Sequence, residues 1–177
     1  MSETAAKHKA EAPKHLSFAV IICSTSRYEE FSKTGKLNDP SGDLIVEILQ
    51  KNGHHAAMRR VVPDDKEQIQ HTLMRALKSR KIDAIIFSGG TGISPRDVTI
   101  EAVQPLLDKE IPGFGEIFRV LSYEKIGSSA ILTRALAGVT RGKAIFCLPG
   151  SPQSVSLALE NLIIPEVGHI IKHAREE

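Results

Sequence analysis

The sequence contains no tryptophan and very little cysteine. Its two cysteines, Cys23 and Cys147, both lie inside apolar runs, and no Cys/His spacing suited to a zinc site occurs. Chains of this length with so little cysteine are typical of reducing compartments, where thiols stay free. We therefore expect two buried thiols, and neither a disulfide nor a structural zinc site.

Long apolar runs and an excess of one charge are also missing. No stretch approaches the ~18 consecutive apolar residues of a membrane-spanning helix, and the N-terminus lacks the apolar core of a signal peptide. The formal net charge is only +2, and no stripe of Lys and Arg provides the electrostatic signature of nucleic-acid binding. These absences predict a cytoplasmic protein that binds neither membranes nor nucleic acid.

Length and composition favour one folded domain. The chain has 177 residues, of which 41% are hydrophobic, and this is enough for a single complete core. Residues 1–15 are small, polar and charged, which predicts a flexible tail because they offer too little apolar surface to offset the cost of ordering. Residues 16–177 are predicted to form the α/β domain.

Short apolar runs alternate with helical patterns along this domain, as a doubly wound, mostly parallel sheet requires. Strands are expected at 16–23, 55–62, 84–87 and 143–148, and helices at 41–51, 97–104 and 115–121, with further helices after Pro63 and Ser151. Residues 24–39 are expected to form a long polar loop. Residues 131–139 are expected to pair with 143–148 as a hairpin, although their alanine content also permits a helix.

The most informative segment is SGGTGISPRDVT, Ser88 to Thr99, which follows an apolar strand and precedes a helix. Glycines 89, 90 and 92 allow a sharp turn whose backbone N–H groups face outward, which is how such loops bind phosphate or carboxylate. The string matches neither a Walker loop nor a dinucleotide fingerprint. A purely structural turn is the alternative interpretation.

Two aspartates are candidates for holding Mg²⁺ beside a bound phosphate. Asp97 follows the glycine loop, where it is equally explained as a carboxylate favoured by the helix dipole. Asp64 has capping-box spacing with Glu67, so spacing alone favours a helix cap. The segment LPGSPQS, at 148–154, offers a second anion-accepting helix start at the same sheet edge, capped by Ser151.

Other side chains give weaker signals. No Gly-x-Ser-x-Gly elbow supports Ser/His/Asp hydrolysis. The histidines at positions 54, 55, 71, 169 and 173 are interpreted as surface residues without a metal; only His169 and His173 share helical spacing. Arg96 and Arg119 are interpreted as solvated surface arginines.

Four ordered motifs, SGGTGISPRDVTIEA, IPGFGEIFR, AILTRA and LPGSP, closely resemble those of the molybdopterin adenylyltransferase family, of the MoaB and MogA type. The resemblance covers roughly residues 16–170. It implies a three-layer α/β/α domain that transfers AMP from MgATP to the terminal phosphate of molybdopterin and releases pyrophosphate. It also implies a homo-oligomer, either a trimer or a hexamer, and the molybdenum-insertion protein as a candidate partner.

The resemblance also implies roles for particular residues. Asp64 and Asp97 correspond to the family's two functional aspartates, the expected Mg²⁺-organising pair. The expected substrate and phosphate contacts are Ser24, Ser26, Ser88, Gly89, Gly90, Thr91, Gly92, Gly113, Glu116, Thr133, Arg134, Pro149, Gly150 and Ser151.

Two departures from the family pattern bear on this assignment. The first loop reads STSR instead of the usual Ser-Asp-Arg type, and Thr133 replaces the commoner serine of its motif. These departures concern the expected pterin contacts. The resemblance to MoaB-type proteins, which are not uniformly expected to adenylylate, leaves a non-catalytic molybdopterin carrier of the same fold as the alternative function. A scaffold role would require a linker and a second domain that this sequence does not contain.

Overall fold

The computed structural model describes residues 12–176, which form a six-stranded mixed sheet in the order β2-β1-β3-β6-β5-β4. Strands β2, β1, β3 and β6 are parallel, whereas β5 runs antiparallel to both β6 and β4. This arrangement confirms the predicted α/β class with a mostly parallel sheet. The strands are β1 Ser17–Cys23, β2 His55–Val62, β3 Ala84–Ser88, β4 Lys109–Glu110, β5 Leu136–Thr140 and β6 Lys143–Leu148.

Helices connect the strands and flank the sheet. The α-helices are α1 Thr25–Thr34, α2 Pro40–Lys51, α3 Lys66–Lys78, α4 Thr99–Val103, α5 Pro112–Ile126, α6 Pro152–Ala158 and α7 Ile164–Ala174. Short 3-10 turns occupy Gln104–Leu106 and Gly127–Leu132, and a π-helical turn occupies Leu159–Ile163.

The sheet has a separate hydrophobic core on each face, because successive side chains of a strand point to opposite sides. Phe18, Val20 and Ile22 of β1 pack with residues of α2, α5, α6 and α7. Ala19 and Ile21 pack on the other face with residues of α3 and α4. The expected three-layer α/β/α arrangement is therefore confirmed, with β1 and β3 buried on both faces.

The expectation of a polar loop at residues 24–39 is wrong, because α1 occupies most of it. The Ser24 hydroxyl accepts the Arg27 N–H at 3.4 Å, and Gly35 ends the helix with φ 67° while donating its N–H to Phe31 at 2.8 Å. None of the residues in α1 is fully buried. The apolar periodicity that reveals a core helix is therefore weak in this segment.

Other boundaries also shift. The helix expected at 97–104 begins only at Thr99, and α5 is longer than predicted at both ends. The hairpin is confirmed, but its first strand starts at Leu136. Its two-residue turn, Arg141 and Gly142, has positive φ at both positions, 51° and 70°, as the twist of a hairpin favours.

Pro165 follows a local widening of the C-terminal helix. A proline inside a helix lacks an N–H and clashes with the carbonyl four residues earlier, and the π-helical turn Leu159–Ile163 lies immediately before it. By length and composition alone, the whole segment Pro152–Ala174 could cross a membrane. Here it packs on the sheet through one buried face, which includes Val155, Ile163 and Ile171.

The predicted tail falls mostly outside the described residues, which begin at Ala12. Ala12, Pro13 and His15 of this segment lie against the domain. The His15 ring lies 2.9 Å from the Gly53 carbonyl oxygen, and the Pro13 carbonyl lies against Gly168, where an added Cβ atom would approach it to 2.7 Å.

His54 is a partly buried residue instead of the surface histidine expected from the sequence. Its ring packs on Phe18 with centroids 5.4 Å apart, and its Nδ1 accepts the Leu16 N–H at 3.2 Å. Burial lowers the pKa of His54 below 6.5, and the neighbouring His15 adds to this effect. The neutral ring is therefore the form that the folded state favours.

We predict that His54 makes the protein less stable as the pH falls through about 6.5, because the unfolded chain then binds a proton that the folded ring resists. The loss should be less than about 1 kcal/mol, since solvent reaches part of the ring. Urea unfolding at pH 7.5 and 5.5 measures it. His54→Gln keeps an acceptor that does not titrate, so an equal pH dependence in this variant would contradict the assignment.

Candidate active site

The predicted site residues gather at one edge of the sheet, where the four parallel strands end. Ser24 follows β1, Asp64 follows β2, the glycine loop follows β3, and Pro149 follows β6. The antiparallel strand β5 begins at this same edge, so Arg134 joins it just before that strand. Ligands of open α/β sheets bind in crevices at this position.

The glycine loop is seated between the ends of β1 and β6. The Gly89 N–H donates to the Leu148 carbonyl at 3.0 Å, and a Cβ atom added to Gly89 would lie 2.3 Å from the Cys23 carbonyl oxygen. Gly89 also has φ 100°, which side chains disfavour. The close backbone approach therefore requires glycine at position 89. Gly150 packs against Gly89, since a Cβ atom added to Gly150 would lie 3.2 Å from Gly89 Cα.

Asp64 is held in place by Thr25, at the start of α1. Asp64 Oδ2 accepts both the Thr25 N–H at 2.9 Å and the Thr25 hydroxyl at 3.0 Å, while the Asp64 N–H donates to the same hydroxyl at 3.0 Å. The other oxygen, Oδ1, lies against the glycine loop, where an added Cβ on Gly90 would come within 2.9 Å of it. Thr25 thus fixes one carboxylate oxygen and leaves the second facing the loop.

The helix cap that spacing assigned to Asp64 belongs instead to its neighbour. Asp65 Oδ1 accepts the Gln68 N–H at 2.9 Å and caps α3. The cap is one residue later than the spacing indicates, so Asp64 has no capping role.

Asp97 closes a tight turn on the other side of the loop. Its Oδ2 accepts the Ser94 N–H at 2.8 Å, and its own N–H donates to the Ser94 carbonyl at 2.9 Å. Asp97 Oδ2 lies close to Gly92, where an added Cβ would approach it to 2.8 Å. The two aspartates therefore flank the segment Gly90 to Gly92.

The loop combines free donors with unpaired carboxylates. Within residues 12–176, the N–H groups of Gly90, Thr91 and Gly92 have no hydrogen-bond acceptor, and neither Asp64 nor Asp97 forms an ion pair. Outward N–H groups attract an anion, whereas two carboxylates without a basic partner repel one. A hard cation such as Mg²⁺, which prefers oxygen ligands, would bind the carboxylates and so allow an anion to lie beside them at the N–H groups.

The serines of the predicted site differ in their placement. Ser88 is buried beneath the loop, and its hydroxyl has no hydrogen-bond partner in the described part of the chain. Ser24 and Ser26 lie at the start of α1 with their hydroxyls 3.2 Å apart. Ser151 caps α6, as predicted, and accepts the Ser154 N–H at 3.2 Å.

A second group of predicted residues lies further along the same edge. Glu116 and Arg134 line a cavity of about 290 Å³ between α4, α5 and β5, together with Arg119, which sequence analysis left on the surface. Arg134 also forms a salt bridge of 2.6 Å with Glu101 of α4. Gly113 lies in the first turn of α5 and Thr133 directly precedes Arg134, so neither belongs to the glycine-loop cluster.

A buried ion pair joins the first two helices to β2. The Asp39 carboxylate, fully buried at the start of α2, accepts the Gly42 N–H at 3.0 Å and a hydrogen bond from Arg59 at 2.8 Å. Burial lowers the pKa of Arg59, but hydrogen bonds to Asp39 and Asp43 and the negative charge of these two carboxylates outweigh this effect, so the pKa is raised above its usual value. Arg27 of α1 approaches the same carboxylate at 3.7 Å, so this charge anchors α1 over the site.

Cys23, below the loop, is not a nucleophile. Burial raises the pKa of its thiol to about 12; a hydrogen bond to Thr99 opposes this rise and the Asp64 carboxylate adds to it. Burial also raises the pKa of Cys147 well above 9.0. Both thiols therefore stay protonated near neutral pH, and among residues 12–176 no group of three or more His, Cys, Asp or Glu side chains converges as a metal cage.

Known proteins resemble the whole domain. Residues 19–169 match a family model described as "Probable molybdopterin binding domain". The chain is 45% identical to molybdenum cofactor biosynthesis protein B of Bacillus subtilis, covering 97% of each chain. It is 47% identical to the molybdopterin adenylyltransferase of Pyrococcus furiosus, covering 96% of this chain and 98% of that protein.

Solved structures agree with this relationship. A crystal structure of molybdenum cofactor biosynthesis protein B aligns with a TM-score of 0.86 at 45% identity, covering 94% of this chain and all of that one. The tungsten cofactor synthesizing protein MoaB from Pyrococcus furiosus aligns with a TM-score of 0.81 at 46% identity, covering 93% and 100%. Since sequence and fold match over nearly their full lengths, this chain belongs to the molybdopterin-binding family that includes the MoaB proteins.

Proposed function

We propose that this protein is a cytoplasmic molybdopterin adenylyltransferase of molybdenum cofactor biosynthesis. The observation that carries the proposal is the glycine loop, whose free N–H groups lie between two unpaired aspartates. Its relatives in Pyrococcus furiosus and Methanocaldococcus jannaschii are named as molybdopterin adenylyltransferase and probable molybdopterin adenylyltransferase. Identities of 47% and 41% over more than nine-tenths of this chain support the same activity here.

The reaction joins two phosphates. An oxygen of the terminal phosphate of molybdopterin attacks the α-phosphorus of ATP, a new P–O bond forms, and the α–β anhydride bond breaks as pyrophosphate leaves with the electron pair. No protein nucleophile is required, which agrees with the protonated state of Cys23. The protein contributes mainly by positioning the two substrates and by offsetting their charge.

Residues of the loop supply the anion contacts in this proposal. The N–H groups of Gly90, Thr91 and Gly92 bind phosphate oxygens, and the capped start of α6 at Ser151 offers further donors. Ser88 is buried beneath the loop and its hydroxyl has no partner among the described residues, so we assign Ser88 to packing under the loop and not to a substrate contact. Asp64 and Asp97 would hold Mg²⁺, which supplies charge neutralisation of the polyphosphate when bound.

The cavity lined by Glu116, Arg119 and Arg134, which we call the second cavity because it lies apart from the glycine loop, extends the site toward β5. Arg119 and Arg134 give it positive charge, whereas Glu116 and Glu110 give it negative charge. Molybdopterin and ATP are longer than the segment Gly90 to Gly92, so we assign this cavity to a part of a substrate remote from the reacting phosphates. Gly113 and Thr133 border it through their chain neighbours.

We also propose that the protein is a homo-oligomer, either a trimer or a hexamer. Helix α5 and the 3-10 turn after it expose a continuous apolar face, which we call the α5 face and which consists of Ile117, Val120, Tyr123, Ile126, Ile131 and Leu132. Each of these side chains is more than half exposed. Exposed apolar patches of this kind mark association surfaces, and Glu116 and Arg119 place this face beside the second cavity.

We expect Asp97→Asn to reduce turnover by at least about a hundredfold, because it removes the charge that holds the cation but keeps an oxygen for the Ser94 N–H. The assay follows adenylylated pterin and pyrophosphate with purified protein, molybdopterin, ATP and Mg²⁺. The matched control is Asp65→Asn, since asparagine caps a helix as well as aspartate. Tight molybdopterin binding by the unaltered protein without pyrophosphate release would support the carrier function instead.

We expect Thr25→Val to lower kcat by roughly tenfold, about 1.4 kcal/mol, while KM for ATP changes little. Valine has the shape of threonine but cannot donate to Asp64, so the carboxylate loses part of its orientation. Thr25→Ser keeps the hydroxyl and should retain nearly full turnover. Equal kcat values in the two variants would show that the hydroxyl has no positioning role.

We expect Ile131→Asp to dissociate the oligomer, because a buried charge at an apolar contact is costly. Sedimentation velocity measures the mass, with 19.3 kDa for one chain. Phe31→Asp is the control, since Phe31 is an exposed apolar side chain on α1, outside the α5 face. A wild-type protein that sediments as a monomer would overturn this proposal and leave the catalytic one standing.

A further inference from the structure

One arginine at the edge of the candidate active site has a guanidinium group whose hydrogen-bonding capacity is unused. Arg27 lies in the first turn of α1, and its guanidinium carries five N–H donors. Within residues 12–176, none of these donors makes a hydrogen bond. The ion pair of Arg27 with Asp39 has an N–O distance of 3.7 Å, which exceeds that of a hydrogen bond. Since the side chain is also 31% exposed, the group is accessible to a ligand.

The Asp39 carboxylate is satisfied without Arg27. Its Oδ2 accepts a hydrogen bond from Arg59 at 2.8 Å, and its Oδ1 accepts the Gly42 N–H at 3.0 Å. Arg59 also binds Asp43, whose side chain is 67% exposed, so that solvent screens much of the charge of Asp43. Arg59 therefore supplies the counter-charge of the buried carboxylate, and Arg27 is a second positive charge beside it.

The backbone of Arg27 is fixed next to the glycine-loop cluster. Its N–H donates to the Ser24 hydroxyl at 3.4 Å, directly after β1. Thr25, two residues earlier in the same helical turn, binds Asp64 through both its N–H and its hydroxyl. The start of α1 thus holds Arg27 at the same end of the sheet as the proposed phosphate site.

The guanidinium end of Arg27 lies at the start of α2, which is joined to the loop after β6. Asp39, which the guanidinium faces, caps α2, and the buried Ser41 in the first turn of this helix donates to the Gly150 carbonyl at 2.7 Å. Gly150 in turn packs against Gly89 of the glycine loop. The Arg27 side chain therefore extends from the end of β1 toward the loop after β6, and the glycine loop is seated between these two points.

We propose that Arg27 binds the polyphosphate of MgATP, turning from Asp39 to phosphate oxygens when the nucleotide occupies the glycine loop. This assignment rests on the adenylyltransferase function proposed above. A guanidinium group pairs with phosphate through two parallel N–H donors, which Arg27 has free. The loop itself offers neutral N–H groups and two carboxylates, so Arg27 adds a formal positive charge for the polyphosphate.

The assignment predicts a particular kinetic pattern. A phosphate that is bound by Arg27 is bound before the reaction as well as in its transition state, so the contact strengthens ATP binding more than it accelerates the chemical step. Loss of the guanidinium should therefore raise KM for ATP and change kcat little. This differs from the effect expected of Thr25→Val, which disturbs the orientation of Asp64 and lowers kcat.

The test compares Arg27→Gln with Lys33→Gln, which removes a charge from the exposed last turn of the same helix. Isothermal titration calorimetry with the full chain measures the binding of MgATP and of inorganic pyrophosphate. We expect Arg27→Gln to weaken both by at least about tenfold and to raise KM for ATP, with kcat within about twofold of the unaltered protein. Arg27→Lys keeps the charge without the planar fork and should recover part of the affinity. Lys33→Gln should leave both affinities within about twofold.

Thermal unfolding separates ligand binding from a structural role of Arg27. Arg27→Gln should lower the Tm by no more than about 2 °C, because Asp39 keeps its hydrogen bonds to Arg59 and Gly42. Arg59→Gln removes the charge that is hydrogen-bonded to the buried carboxylate and should lower the Tm by at least about 5 °C. Excess MgATP should raise the Tm less in Arg27→Gln than in the unaltered protein.

Four results would overturn the assignment. Unchanged affinities for MgATP and pyrophosphate in Arg27→Gln would place the polyphosphate elsewhere, and a wild-type protein that binds neither ligand would leave Arg27 without a substrate. A loss of Tm as large as that of Arg59→Gln would make Arg27 a structural residue. A lower kcat with unchanged KM would mean that Arg27 acts only by positioning α1. In contrast, a wild-type protein that binds MgATP through Arg27 but releases no pyrophosphate would contradict the adenylyltransferase function and leave this assignment standing.

Discussion

The candidate active site depends on the close contact between Gly89 and the carbonyl of Cys23. No side chain fits between these two backbones, because a Cβ atom would lie 2.3 Å from the oxygen. The contact brings the loop after β3 against the end of β1, and the Gly89 hydrogen bond to Leu148 brings it against β6. In this position, Gly90 lies against Asp64 and Gly92 lies against Asp97.

Much of this edge could be predicted from the sequence because local chemistry determines it. Three of the four parallel strands are apolar runs, and the turn after β3 needs the positive φ of Gly89 and Gly90. The sequence at the start of α6 offers a capping serine and a proline at the first helical position, and both residues have these roles in the structure. In each case, one short stretch of residues contains the whole physical cause.

The parts that could not be predicted depend on contacts distant in sequence. Thr25 and Asp64 are 39 residues apart, and neither spacing nor composition indicates that a threonine orients a carboxylate. Helix α1 was missed because it buries no residue fully and is held instead by Ser24, Gly35 and the charged group around Asp39. Spacing favours Asp64 as the helix cap, but Asp65 is the residue that caps α3. Two adjacent aspartates are equally suited to begin a helix, so spacing alone does not distinguish them.

The first loop also shows how a departure from the family pattern remains compatible with the site. Thr25 stands in the segment that reads STSR instead of the usual Ser-Asp-Arg type. A second carboxylate at 3 Å from Asp64 would add like-charge repulsion, whereas the threonine hydroxyl donates to Asp64 and accepts from its N–H. Within residues 12–176, no basic side chain forms an ion pair with Asp64 or Asp97, and the buried Asp39 is neutralised separately by Arg59. A cation bound at the loop would therefore lie between two carboxylates, of which Asp64 is oriented by Thr25 and Asp97 by Ser94, and it would offset the charge of a bound polyphosphate.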